Sequence, residues 1–286
     1  MSGGRIGPGH DGPMTDTTAP VPNSRTGLVR SPVAVVVGGA AVGLLGGLIG
    51  LGGAEFRLPL LIGMFGFAAL HAVIVNKATS LIVVLTALPV RALSVPVGDL
   101  VDNWHVAVNL LAGSLLGAWI GASWATRMRT ALLYRVLAGL LVLMAVALFL
   151  SHRGELSALG VDGAWLFVLG IVAGFLIGVV ASVMGVAGGE LLIPTLVMLY
   201  GLDVKLAGSM SLVVSLPTMV VAFSRYSRDD SFVVLRDNRQ FVVLLAAGSA
   251  VGAVTGGLLV GVVADGVLVP ILAAILLISS FRVWRH

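Results

Sequence analysis

The chain has 286 residues, of which 58% are hydrophobic and only 10% are charged, and its mean hydropathy is +1.08. Soluble globular proteins are about 45–50% apolar and about 25% charged, so this composition excludes a water-soluble fold and indicates a protein dissolved mainly in lipid. The net charge of +4 does not indicate nucleic-acid binding, because the basic residues form no stripe interleaved with aromatic side chains. The absence of cysteine excludes disulfides, thiolate metal sites and cysteine nucleophiles.

The N-terminal residues 1–31 are rich in Gly, Pro, Ser and Thr, which predicts a disordered tail. Ten apolar segments follow, near 32–51, 58–75, 78–97, 106–126, 132–150, 165–186, 191–202, 206–223, 241–263 and 267–281. Most approach the roughly 20 residues that a helix needs to cross about 30 Å of hydrocarbon. Segment 191–202 is too short to cross alone, and segment 58–75 is interrupted by Pro59 and His71.

The two halves of the chain align with each other at an offset of about 135 residues, with a slip of about four residues in part of the alignment. The matched positions include Gly50 and Gly185, Gly53 and Gly188, Glu55 and Glu190, Pro59 and Pro194, Asp102-Asn103 and Asp237-Asn238, and, after the slip, Ser80 and Ser211. We therefore predict membrane repeat 1 at 32–150, a linker at 151–164, membrane repeat 2 at 165–281 and a short C-terminal tail at 282–286.

The positive charges predict an orientation in the membrane. If both termini are cytoplasmic and all ten segments change side, thirteen Lys and Arg residues are cytoplasmic and four are outside, as the positive-inside rule expects. The cytoplasmic residues are Arg5, Arg25, Arg30, Lys77, Arg127, Arg129, Arg135, Arg225, Arg228, Arg236, Arg239, Arg282 and Arg285; the outer ones are Arg57, Arg91, Arg153 and Lys205.

Five segments per repeat is an odd number, so the repeats are inverted. If the first two segments of each repeat are re-entrant, the parity is unchanged. The predicted fold is an all-α, polytopic membrane protein with two inverted repeats and Gly/Pro-broken elements at the repeat starts.

Glycine-rich breaks with a following proline occur at the same place in both repeats. The broken elements contain Gly52 and Gly53 in the first copy, and Gly188 and Gly189 in the second. A helix that stops and restarts within the membrane directs backbone N–H groups and a positive dipole end at a ligand, which favours an anion. The alternative is that these glycines only allow close helix packing.

A carboxylate follows each break, at Glu55 and Glu190. An ionisable group at membrane depth is a functional candidate, so both residues are candidates for coupling transport to a proton. The alternatives are a carboxylate that caps the restarted helix and a residue at a loop tip facing water.

Polar side chains near the third and eighth segments complete the predicted site. Asn76, Thr79 and Ser80 precede the third segment, and Ser211 opens the eighth. At a helix start, such groups bind an oxyanion or cap the helix, and both interpretations remain open.

Two cations near the predicted site have simpler interpretations. Arg57 could pair with Glu55 or meet an anion, but a snorkelling residue at the membrane interface is simpler. Lys77 is interpreted as an orientation charge. The Gly113/Gly117/Gly121 and Gly248/Gly252/Gly256 rows predict helix packing, and the histidines show no metal-ligand spacing.

The two broken blocks carry a resemblance to a known family. The Gly-Leu-Gly-Gly-Ala-Glu block with Pro59, its second copy Gly-Val-Ala-Gly-Gly-Glu-Leu-Leu-Ile-Pro, and the Ala-Thr-Ser and Ser-Met-Ser stretches resemble the TauE/SafE family. This family is also called the sulfite exporter or toluene sulfonate uptake permease family. The similarity covers roughly residues 33–281 and implies a plasma-membrane permease for sulfite, sulfonates or related small anions, driven by an ion or proton gradient. The chain departs from the family pattern at two positions. The first repeat has Ala54 where the second has Gly189, and it has Arg57 where an aliphatic residue is more usual.

The residues and the resemblance together predict a secondary transporter in a bacterial plasma (inner) membrane. It would move a small, sulfur-containing or organic anion by alternating access, with one repeat rocking against the other. Its partners would be this anion, the lipid bilayer and a coupling proton or sodium ion. The alternatives are an anion channel of the same fold and an intramembrane enzyme using Glu55 and Glu190. Because the chain lacks the usual hydrolase motifs, we predict no enzyme activity and no cofactor.

Overall fold

The structure, a computed structural model, describes residues 31–49, 53–92, 97–153, 159–161, 163–259 and 265–285. In these ranges the chain forms twelve α-helices and one short 3-10 helix, and no strand. The prediction of an all-α fold is confirmed.

The helices of the first half are α1 (Pro32–Ile49), α2 (Ala54–Gly63), α3 (Ala69–Ala92), α4 (Val97–Asp102), α5 (Trp104–Arg127) and α6 (Thr130–Arg153). The helices of the second half are α7 (Ala164–Met184), α8 (Gly189–Tyr200), α9 (Val204–Tyr226), α10 (Val233–Asp237), α11 (Arg239–Leu258) and α12 (Asp265–Trp284). The 3-10 helix, Asp230–Phe232, leads into α10.

Six of the described helices are long and apolar enough to cross a membrane, namely α3, α5, α6, α7, α9 and α11. Large apolar side chains on their outer faces are exposed, for example Trp165 and Val251, which are 72% and 67% exposed. Water would penalise such a surface, whereas lipid does not. The chain is therefore a multi-pass membrane protein.

The helix that follows each glycine-rich break is short and turns back along the helix before the break. The first of these, α2, has 10 residues, and its counterpart α8 has 12. At 1.5 Å per residue they span about 15 and 18 Å, roughly half of the hydrocarbon thickness. Gly38, near the start of α1, lies against Leu60 and Phe65 at the end of α2, so α1 and α2 form a helical hairpin.

The second hairpin is shown by contacts at its open end. Leu159, which precedes α7, donates its N–H to the carbonyl of Met198 near the end of α8 at 2.8 Å. Gly170, in the second turn of α7, lies against the hydroxyl of Tyr200, the last residue of α8. Both halves of the chain thus begin with a helical hairpin, and α2 and α8 are each too short to cross the membrane alone.

The predicted boundaries were wrong around the second and third segments. Segment 58–75 is not one element, because α2 ends at Gly63 and α3 begins at Ala69 and continues to Ala92. The connecting turn contains Gly66, which has a φ of +69°. Its flanking phenylalanines are apolar and buried, so hydropathy alone does not reveal the turn.

Two glycine-lined interfaces join helices of different repeats. In one, Gly113 and Gly117 of α5 lie against the backbone of α7 at Ile171 and Phe175. In the other, Gly252 of α11 lies against the backbone of α1 at Ala40. A Cβ atom at any of these glycines would overlap a backbone carbonyl oxygen of the facing helix, so the helices touch through their main chains. The prediction that these glycine rows pack helices is confirmed, and the facing glycines of α1 and α7 were not anticipated.

The contacts between helices are similar in the two halves. The pair α1 and α11 corresponds to the pair α7 and α5, and the pair α2 and α12 corresponds to the pair α8 and α6. The two equivalent helices α3 and α9 contact each other, as do α6 and α12. The paired hairpins are therefore arranged around α3 and α9.

We predict that Gly117→Ala will lower the melting temperature of the detergent-purified protein, because its Cβ would overlap the carbonyl oxygen of Phe175. Overpacking of this kind costs about 1–3 kcal/mol. The matched control is Gly139→Ala in α6, where a Cβ would have no neighbour within 4 Å and stability should stay within about 0.5 kcal/mol. Equal melting temperatures for the two variants would contradict the close packing of α5 and α7.

Candidate functional site

The tip of the second hairpin begins where α7 ends. Gly185 has a φ of +72° and donates its N–H to Ser182 O, while Val186 N–H donates to Ala181 O. This arrangement is a Schellman motif, which ends a helix in the left-handed region that glycine adopts without strain. It leaves carbonyl oxygens of the last turn directed into the protein, where they need further donors.

Asn76 of α3 joins the tips of the two hairpins. Its side-chain Nδ2 donates to Ala54 O at the start of α2, at 3.0 Å, and to Met184 O at the end of α7, at 3.2 Å. Asn76 is fully buried, so water does not compete for these bonds. The two breaks, which are separated by more than 100 residues in the chain, therefore meet at one amide.

Lys77, the next residue, is bonded to the second tip. Its Nζ donates to Ala181 O at 2.9 Å and to Val186 O at 2.6 Å, and its side chain is 1% exposed. Ala181 O thus accepts from both Val186 N–H and Lys77, so both of its lone pairs are used. Lys77 therefore pairs carbonyl groups at the end of α7 and in the turn that leads to α8.

Arg57, on the first turn of α2, is completely buried. Its Nη1 donates to Asn76 Oδ1 at 3.2 Å and to Ser80 Oγ at 3.0 Å. Its other two nitrogens, Nε and Nη2, have no hydrogen-bond partner among the described residues. Because an unpaired guanidinium nitrogen is costly in an apolar interior, this edge is able to receive an acceptor.

The two carboxyl groups predicted to couple transport lie beside each other. Glu55 interacts electrostatically with Glu190 and with Arg57, and Glu190 also interacts with Lys77. Both Glu190 oxygens and Glu55 Oε2 are buried and find no hydrogen-bond partner within the ranges that the structure describes. The rest of the Glu190 side chain is partly exposed. The charged groups of this cluster are two cations, Arg57 and Lys77, and two carboxyl groups, Glu55 and Glu190.

The glycines of the predicted site have different positions in the hairpins. Gly53 and Gly188 precede α2 and α8 with φ of +68° and +87°, and Gly189 is the first residue of α8. The first bonds within the restarted helices come from the N–H groups of Phe56 and Leu191, so the preceding N–H groups have no intrahelical acceptor. Gly52 lies outside the described residues.

The hydroxyl groups of the predicted site are engaged within their own helices, with the exception of Ser80. Thr79 donates to Val75 O at 2.8 Å, and Ser211 donates to Gly208 O at 2.8 Å. Ser80 instead accepts a bond from Arg57. Asn76 and Ser80 are therefore brought to the hairpin tips, whereas Ser211 is buried and bonded only to the main chain of its own helix among the described contacts.

Three interpretations of these residues were wrong. Asn76 and Ser211 do not lie at helix starts, since each is the eighth residue of its helix. Arg57 is not a snorkelling residue and Lys77 is not an orientation charge, because both are buried and bonded. With these two residues removed, twelve basic residues still lie on the predicted cytoplasmic side and three on the other.

Tyr226 is a further part of this centre that the sequence did not reveal. Its hydroxyl, from the last residue of α9, donates to Ser182 O at 2.9 Å, and its side chain is fully buried. The residue ends an apolar segment beside Arg225, where a tyrosine is usual for a membrane interface. No local pattern distinguishes it from such an anchor.

Comparison with known proteins gives one finding. A family model described as "Sulfite exporter TauE/SafE" matches residues 14–148 and 162–286, which is nearly the whole chain. Searches of curated proteins and of solved structures found no match.

We predict that Asn76→Leu will destabilise the purified protein by about 2–6 kcal/mol, because two buried carbonyls would lose their donor at about 1–3 kcal/mol each. The check is the melting temperature in detergent. Asn103→Ala is the control, since the Asn103 side chain donates to Asp99 O in an exposed turn and its loss should change stability by about 0.5 kcal/mol. Similar values for the two variants would show that Asn76 does not hold the hairpin tips together.

Proposed function

We propose that this chain, which belongs to the sulfite exporter TauE/SafE family, is a secondary permease for a small anion. The family consists of membrane transporters of the sulfite or anion type. The proposed anion is sulfur-containing or organic, and the protein moves it across the plasma membrane by alternating access. The site that we propose is the meeting point of the two hairpin tips.

The observation that best supports an anion at this point is the half-bonded guanidinium of Arg57. Its Nη1 is held by Asn76 and Ser80, which orients the side chain, while Nε and Nη2 are free of hydrogen bonds to described residues. Nε and one Nη form the edge of a guanidinium that binds an oxyanion with two parallel bonds. A sulfite or sulfonate group presents oxygens in a geometry that suits this edge.

The restarted helices supply the rest of the proposed site. The N–H groups at Gly53, Gly188 and Gly189 belong to helix starts, where the dipole favours negative charge. We propose these backbone groups, together with Gly52 and Ser80, as ligands that complement Arg57. The protons of Asn76, Thr79 and Ser211 are donated to carbonyls in this structure, so these residues would bind the anion only after a rearrangement.

We also propose that Glu55 and Glu190 couple anion movement to a proton. With all four groups ionised, the charges of Arg57 and Lys77 are balanced by the two carboxylates, and an added anion would make the buried cluster negative. Two neighbouring buried carboxylates favour sharing one proton. A proton that binds with the anion keeps the cluster neutral, which favours movement of proton and anion together.

The proposed motion must preserve the two glycine-lined interfaces. Both of them join a helix of repeat 1 to a helix of repeat 2, so separating the sequence repeats as rigid blocks would open close main-chain contacts. We therefore propose that α1 moves with α11 and that α5 moves with α7. The repeats have inverted orientation in this proposal, and both termini are cytoplasmic.

The test of the proposed site is anion binding by Arg57→Leu, which introduces the residue present at the equivalent position, Leu192. A panel of sulfite, sulfate, sulfoacetate, taurine and simple carboxylates should contain an anion that selectively raises the melting temperature of the wild type. For that anion we expect binding and proteoliposome uptake by the variant to fall at least tenfold, since a hydrogen bond to a charged group contributes about 1.5–3 kcal/mol.

The control is Arg135→Leu, which removes an exposed arginine at the end of the molecule where Trp284 lies. Folded Arg57→Leu protein that binds and transports the anion like the wild type would exclude Arg57 from the site. A wild type that no anion stabilises would remove the support for a sulfur-anion substrate.

A second prediction concerns coupling. In wild-type proteoliposomes, a pH gradient should accelerate anion uptake towards the alkaline side, and this acceleration should disappear in Glu190→Gln and Glu55→Gln, whose amides bind no proton at neutral pH. The measurement is uptake with and without the gradient, with the exposed Asp99→Asn as the control. A gradient response that persists in both glutamine variants would contradict coupling through this pair.

A further inference from the structure

The end of α7 is an unusual concentration of buried carbonyl oxygens. Ala181 O and Val186 O point at Lys77 Nζ, Ser182 O accepts from Tyr226 and Met184 O accepts from Asn76. These oxygens lie at the C-terminal, negative end of a helix and in the unwound turn after it. The donors that satisfy them come from α3 and α9, and a lysine ammonium is the single cation among these donors.

Transporters with broken helices use this kind of backbone to hold a metal ion. Carbonyls of an unwound segment and of a half-helix C-terminus coordinate Na⁺ in such proteins. Here an ammonium with the same charge takes the corresponding position, at 2.9 and 2.6 Å from two carbonyl oxygens. The carboxyl group of Glu190, whose two oxygens are buried and without hydrogen bonds to described residues, interacts electrostatically with Lys77.

We propose that the break between α7 and α8 is a monovalent-cation site whose cation is the ammonium of Lys77. Because the ammonium is covalently attached, the stability of this break does not depend on a bound Na⁺ ion. It also means that loss of the ammonium leaves oxygens of Ala181 and Val186, with the Glu190 carboxyl group nearby, as a site that a free Na⁺ or Li⁺ ion can fill. This inference stands apart from the proposed anion site, because its test measures stability and needs no transported substrate.

The repeat equivalent of Lys77 supports a specific role for the lysine. At the spacing that pairs Ser80 with Ser211, the counterpart of Lys77 is Gly208, so only one of the two repeats supplies such a cation. The chain has just one other lysine, Lys205, which is exposed on the first turn of α9. This residue provides a control of the same type outside the centre.

The decisive variant is Lys77→Met, because methionine retains an unbranched stem of similar length and lacks the ammonium. The full-length protein would be purified in detergent, and its melting temperature measured in NaCl, LiCl, KCl and choline chloride at equal ionic strength. We expect the wild type and Lys205→Ala to show no difference between Na⁺ and choline. For Lys77→Met we expect Na⁺ or Li⁺ to raise the melting temperature by about 3 °C when the salt is about tenfold above its Kd.

Two results would overturn this assignment. A Na⁺-specific rise in the wild type would show that the break binds a free cation in spite of Lys77. Equal melting temperatures of Lys77→Met in Na⁺, Li⁺ and choline would show that the lysine is only a hydrogen-bond donor. Lys77→Ala provides a second variant with more space, and failure of both variants to fold at any NaCl concentration would also count against a cation site.

Discussion

A helix that ends in the buried interior of a membrane protein must satisfy its last carbonyl groups without bulk water, and this requirement organises the centre of the molecule. The end of α7 meets it with a Schellman motif and with donors from two neighbouring helices: Lys77 and Asn76 of α3 and Tyr226 of α9. Removing one donor leaves a buried acceptor unpaired, which costs more than the bond contributes. The broken helix is therefore stable only because α3 crosses beside both hairpin tips.

The polar centre is less symmetric than the backbone that surrounds it. The hairpins, their glycines and their glutamates occur in both halves. The positions equivalent to Arg57 and Lys77, however, are occupied by Leu192 and Gly208. A duplicated scaffold with equal carboxyl groups on both tips would concentrate negative charge at its middle. Two buried cations from one repeat compensate this charge. Since those cations come from a single half of the chain, the anion site that we propose has a preferred side, which a symmetric centre would lack.

The sequence predicted the scaffold better than the centre. Repeated Gly, Glu and Pro positions indicated two equivalent broken elements, and glycines four residues apart indicated close helix packing, because both patterns are local. The boundary between α2 and α3 was not predictable from hydropathy, since the turn between them is apolar. The burial of Arg57 and Lys77 was not predictable either, because a single cation in an apolar segment fits a membrane interface equally well. Only the contacts of α3 with the hairpin tips distinguish the two situations.

The distribution of contacts limits which parts of the molecule can move. Main-chain contacts at Gly117 and Gly252 leave no space for a sliding motion of α5 on α7 or of α11 on α1. The helices α3 and α9 also meet the hairpin tips through polar side chains, and Gly185 of the second tip lies against the backbone of α3 at Val73. The hydrogen bonds from Asn76 and Lys77 can be exchanged at little net cost only where water or another donor pairs the carbonyl groups that they leave, whereas a separated main-chain contact has no replacement. A change in the charge of the central cluster therefore acts on the part of the structure that is able to rearrange.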